Sequence, residues 1–192
     1  MEEKKRVTGM MIHGFAVAHA LTAGVLAQTL VGDEAALTAL TVAMIIAVAK
    51  VNGVKWGSGA ALSFWGLFVG GYMSLRGTAF LFKWIPAIGN VANAGLTFTS
   101  TEIVGWAVYL FIKKGKTDPQ SITKEEKKAL WNEAKDMREK EEDESRRLYH
   151  SMGEADEEEY KSIMKQLRSK ELTEEQRDEL VEKLADIAGR YA

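Results

Sequence analysis

The 192-residue chain has no cysteine, only two prolines and only three histidines. The missing cysteine removes disulfides, thiolate zinc sites and cysteine nucleophiles together. His13 and His19 are six residues apart, so on one helix they diverge by roughly 100° or more and cannot share a metal. The three histidines form no Ser-His-acid pattern. No G-x-x-x-x-G-K-[ST] phosphate cradle is present, and Gly57-Ser58-Gly59 lacks the third glycine of a dinucleotide turn. An excess of one charge is lacking too. The net charge of −2 gives no basic footprint for nucleic acid. Catalysis, a cofactor and a metal are therefore not expected.

What is present is divided unevenly. Residues 1–116 hold 10 of the 25 Lys and Arg, 5 of the 27 Asp and Glu, and 15 of the 17 glycines. The front is therefore apolar with a charge of +5, and residues 117–192 are densely charged at −7, a contrast hidden by the mean hydropathy of −0.15. Four apolar stretches stand out in the front half: Met10–Val31, Ala35–Ala49, Gly57–Leu75 and Val91–Ile112. About 20 apolar residues cross a hydrocarbon core. Three stretches reach that length, and the second is short. Gly59, Ser63, Gly66, Gly70 and Ser74 recur at helical spacing, the pattern by which membrane helices approach closely. Trp56 and Trp84 stand near segment ends, as in an aromatic belt, whereas Trp65 and Trp106 do not.

The flanking charges supply a second test. With four crossings, Lys4, Lys5, Arg6, Lys50, Lys55, Lys113, Lys114 and Lys116 fall on one side and only Arg76 and Lys83 on the other. The positive-inside rule then puts both termini in the cytoplasm. The first 30 residues do not read as a cleavable signal, because the apolar run is too long and no small-residue cleavage site follows it. Arg76, Lys83 and Pro86 argue against one continuous helix through 76–90, which crosses, re-enters or lies flat.

Behind the turn at Thr117-Asp118-Pro119, three helices are expected, each opened by a capping box: Thr123 with Glu126, Asp156 with Glu159, and Thr173 with Gln176. The middle helix carries the stripe Tyr160, Ile163, Met164, Leu167, and the last carries Leu180, Leu184, Ile187, Tyr191. Such narrow stripes pack on each other or on a partner and cannot build a large core. The centre of the first helix, Arg138 to Arg147, has no apolar residue and reads as solvent-bridging or as an oligomer contact. Glu141-Glu142-Asp143-Glu144 reads as a solvated face, without the oxygen spacing of a calcium loop.

The order of residues in 17–110 resembles a bacterial membrane domain of unknown function, found C-terminal to Era-like GTPases and in YcjF-type inner-membrane proteins. The matching residues are His19 to Ala23, Asp33 followed by Leu37 to Leu40, Met44, Lys50 to Gly53, Lys83-Trp84-Ile85-Pro86, Gly89, Thr101-Glu102 and Gly105-Trp106. Val31 and Gly32 stand where that domain usually has prolines, and Thr41 where it has a glutamine. The resemblance implies membrane association and a GTPase partner, and no established activity.

The polar residues within the apolar stretches are the candidate site. Asn90, Asn93, Thr97 and Thr101 follow 3-4-4 spacing on one helix face, and Thr22, Leu26 and Thr29 continue a weaker stripe from His19. Such faces either line a water-filled path or hydrogen-bond between helices. Glu102 is an ionisable group at membrane depth, for which Lys50 or His19 is the expected partner unless it serves as a protonated packing acid. His13 and His19 would also make an assembly pH-sensitive. The sequence thus leads to an all-α, non-enzymatic integral protein of the bacterial inner membrane that self-associates through its small-residue faces. It forms a pore, with Asn93, Thr97 and Glu102 near the lining, or it is an anchor whose acidic C-terminal helices recruit a partner such as a GTPase. A third reading is a soluble or peripheral bundle that hides its apolar helices in an oligomer.

Overall fold

The computed structural model describes residues 2–26, 33–75, 89–169 and 171–192, and these form helices joined by short turns and linkers, with no strand among them. Seven α-helices follow in order: α1 Glu2–Leu26, α2 Asp33–Val51, α3 Ser58–Leu75, α4 Gly89–Lys113, α5 Lys124–His150, α6 Glu154–Leu167 and α7 Glu174–Gly189. A single 3-10 turn at Pro119–Ser121 joins α4 to α5. Gln28, Val31, Gly32 and the segment from Arg76 to Ile88, with Lys83, Trp84 and Pro86, lie outside the described residues.

Helices α1 and α4 are antiparallel and make the most extensive pair, and glycine makes their approach possible. A Cβ on Gly105 would lie 2.6 Å from Ile12 Cγ1, and one on Gly9 would lie 3.3 Å from the Trp106 ring and 2.5 Å from Ser145 Oγ. Helix α2 is apolar all round because it is covered all round. Every residue from Ala39 to Ala49 is buried, with α1, α3, α4, α6 and α7 around it. A helix of that composition belongs in a large core or in lipid; here the chain's own helices supply the cover. Helix α3 is two-faced, with Ala61, Phe64 and Phe68 inside and Gly59, Leu62, Ser63 and Gly66 exposed.

The three charged helices do not stand apart. Thr123 and Thr173 cap α5 and α7 through reciprocal bonds with Glu126 and Gln176, as expected. Gly153, not Asp156, is the cap of α6 and offers no side chain. Asp156 is drawn away by α7, accepting from Tyr191 Oη at 2.6 Å and Arg190 at 2.7 Å. Tyr160, Ile163, Met164 and Leu167 of α6, and Leu180, Leu184 and Ile187 of α7, are buried as read, but they join one hydrophobic core continuous with α1–α4. Narrow stripes complete that core rather than make a second one. The centre of α5 is likewise no solvent bridge: Glu141 and Ser145 are buried, and α5 packs on both α1 and α4.

Among the described residues no helix is long and apolar enough to cross a membrane. Four crossings meet a further obstacle in α5. Its charged length follows the first half of α1 and the second half of α4, through Lys5–Glu141, Gly9–Ser145 and Glu102–Arg138. Those stretches cannot lie in hydrocarbon with α5 beside them. The basic flanks have partners within the chain: Lys50 with Asp178 and Glu182, Lys114 with Glu133, and Lys116 with Glu126. Of the two tryptophans near segment ends, Trp56 is buried and Trp84 lies outside the described residues. Trp106 is 2% exposed, and buried Trp56 donates its indole N–H to the Thr117 carbonyl at 2.7 Å.

Candidate functional site

Glu102 sits near the middle of α4, only 2% exposed, and is held from two sides. His13 Nδ1 donates to Oε1 at 3.0 Å, and Arg138 Nε of α5 donates to Oε2 at 2.8 Å. The Arg138 guanidinium also reaches Glu142 at 3.1 Å. Burying a carboxylate without partners costs several kcal/mol, order of magnitude, in desolvation, and here one bond from Arg138 and one from His13 offset it. His13 completes an aromatic layer with Phe98 and Tyr149, at ring-centre distances of 5.3 and 5.5 Å.

Neither expected partner is there. Lys50, at the end of α2, belongs to α7 through Asp178 at 3.3 Å. His19 is buried between α1 and α2. Its Nδ1 lies 2.8 Å from the Phe15 carbonyl, and its Nε2 lies 3.1 Å from both the Leu37 carbonyl and the Thr41 hydroxyl of α2. Burial pushes the His19 pKa down, against hydrogen bonds to the Phe15 and Leu37 carbonyls that pull it up. Thr41 and the Leu37 carbonyl thus give α2 its polar contact with His19 of α1.

The polar stripe of α4 meets His19 at a cavity of about 180 Å³, walled by Thr41, Met44, Trp65, Phe68, Thr97 and Thr101 among others. Thr101 donates to the Thr97 carbonyl at 2.8 Å, back-bonding that satisfies a hydroxyl within its own helix. The single O–H of Thr41 has the Leu37 carbonyl at 2.9 Å and His19 Nε2 at 3.1 Å within reach. Thr22, outside this cavity, donates to the Ala18 carbonyl at 2.6 Å. The Asn90 and Asn93 side chains lie outside the described residues. Among the small residues, Gly59, Ser63 and Gly66 share the exposed face of α3, and nothing lies within 4 Å of where a Cβ on Gly59 or Gly66 would be. The side chains at 70 and 74 are outside the described residues.

The structure therefore brings Thr97, Thr101 and His19 to one cavity, and it separates them from Glu102 and from Lys50. Sequence reasoning missed Arg138, Glu141 and Ser145. Their signal was spacing: Leu130, Ala134, Arg138, Glu141, Ser145 and Leu148 advance by three or four along α5, as a buried stripe does, with polar residues where apolar ones are usual. Among the described residues no group of three or more His, Asp or Glu is arranged to hold a metal. No family model matches the chain, and neither a curated protein nor a solved structure does.

Proposed function

We propose that the chain is a non-enzymatic, membrane-associated scaffold of the bacterial inner membrane. It self-associates through α3 and offers its acidic C-terminal helices to a protein partner, a GTPase being the class the resemblance supplies. The observation that carries this reading is the outer face of α3. Gly59, Leu62, Ser63 and Gly66 lie exposed on a helix without a single charge, and Leu62 is 47% exposed. Uncharged surface of this kind ordinarily meets a partner or a lipid, and open glycine positions let a second backbone come close. The distribution of charge supports the rest. Lys and Arg at the ends of the apolar helices are engaged by α5 and α7, while Glu154, Glu158, Glu171 and Glu175 stay on the outside of the molecule.

The cysteine-free chain makes the test clean. In fractionated cells the protein stays with the membranes through a high-salt wash and is released by detergent, and Ser63→Cys alone produces a disulfide-linked dimer on mild oxidation. Release by salt removes the membrane from this reading. A monomeric Ser63→Cys protein in the membrane fraction removes the α3 interface.

A further inference from the structure

We propose that the cleft between the α2–α3 turn and α7 is a binding site for a phosphate group. The cleft measures about 650 Å³ and is lined by Lys50, Lys55, Ser58 and Arg177 together with four α7 carboxylates, Glu174, Glu175, Asp178 and Glu182. Arg177 is its deepest charge, 8% exposed. Its guanidinium donates to Ser58 Oγ at 2.9 Å and reaches the Leu172 carbonyl at 3.4 Å, Nε has no partner, and it makes no ion pair among the described residues. Arginine is almost never buried without an anion, and a buried cation left uncompensated is costly. An anion is the missing component.

The rest of the cleft suits one. Ser58 is the first residue of α3, an 18-residue helix, so the first backbone N–H groups of that helix have no partner inside it and carry its positive end. Lys55 is exposed two residues before the turn residue Gly57 and has no ion pair among the described residues. Lys50 is not free for this purpose, being held by Asp178 and Glu182. One carboxylate already uses the spot: Glu174 Oε1 accepts from the Ser58 backbone N–H at 3.1 Å and stays off Arg177. A tetrahedral phosphate offers enough oxygens to take the Ser58 N–H, the Arg177 fork and the Lys55 ammonium together, with Glu174 swung outward. Glu175, which also lines the cleft, sets a modest affinity by repulsion.

The phosphate comes either as the free ion or a monoester, or as the diester of a lipid headgroup. The purified full-length chain is titrated with inorganic phosphate at constant ionic strength by isothermal calorimetry. It is also floated with phosphatidylcholine vesicles with and without phosphatidylglycerol. Two surface variants carry the decision, since Arg177 replacements are prone to unfold the α7 contact. Glu174→Gln, which removes the competing charge, tightens binding about tenfold, and Lys55→Glu weakens it about tenfold. That pattern with inorganic phosphate assigns a free phosphate. The same pattern confined to phosphatidylglycerol vesicles assigns a headgroup. Equal behaviour of wild type and both variants in both assays overturns the site. Membrane association is not required, because the phosphate titration contains no bilayer; vesicle binding indifferent to Lys55 and Glu174 supports the scaffold reading while removing the phosphate site.

Discussion

At the scale of the residue, Glu102 is where charge and burial meet. Its carboxylate is enclosed by α1, α4 and α5, and its compensation comes from Arg138, itself 17% exposed at the side chain. Removing one member of such a pair leaves the other as an uncompensated charge, which costs more than the pair ever contributed. Glu102→Gln is therefore expected to lower stability by about 3 kcal/mol, seen as a lower urea midpoint at unchanged slope. The combined change Glu102→Leu with Arg138→Met recovers most of that loss, because a buried ion pair and a well-packed apolar pair nearly break even. A Glu102→Gln protein as stable as wild type would mean that the pair carries no structural weight. The sequence marked Glu102 from its solitude in an apolar stretch. It could not name Arg138, because a partner 36 positions away is chosen by how α5 packs, not by anything near Glu102.

At the scale of the element, glycine does two opposite things, and only the three-dimensional neighbours tell them apart. Gly14 lies under the Tyr160 ring of α6, which occupies the space a Cβ would need. Gly66 faces open space on α3. Gly14→Ala is expected to cost about 1–3 kcal/mol by overpacking, whereas Gly66→Ala is expected to add about 0.5–1 kcal/mol through helix propensity alone. Thermal unfolding of the two variants separates the roles, and a neutral Gly14→Ala would show that α6 yields to a methyl group at no cost. The same contrast explains what could be read beforehand. Helix positions, the Thr123 and Thr173 caps and the stripes of α6 and α7 follow from local spacing, and all were legible. Helix α2 was legible as apolar but not as surrounded, since lipid and protein demand the same side chains. The cap of α6 failed for a related reason: Asp156 has the right chemistry, and Tyr191 and Arg190, more than thirty positions on, outbid the α6 backbone for it.

At the scale of the whole molecule, the unlike halves are complementary rather than separate. The front carries basic residues at helix ends, the back brings acids to them, and one hydrophobic core runs through both. The back half covers the front with Leu148 and Tyr149 of α5, Tyr160 of α6 and Leu184 of α7, all buried. Each such side chain is worth about 1.5–3 kcal/mol of burial, and together they rival the entire stability of an ordinary domain, about 5–15 kcal/mol. Deleting residues 117–192 would return those contacts to water on the α1 and α4 surfaces and strip Arg138 from Glu102 at the same time. The fragment 1–116 is therefore expected to aggregate or to need detergent, with amide exchange in α1 and α4 accelerated by orders of magnitude relative to the full chain. Size-exclusion chromatography and hydrogen exchange read this directly. A monodisperse, exchange-protected 1–116 in plain buffer would mean that the apolar bundle stands alone and that α5–α7 are an attachment. Aggregation would mean that the acidic helices are a wall of the fold, so that a partner drawing them outward must break core contacts to do it.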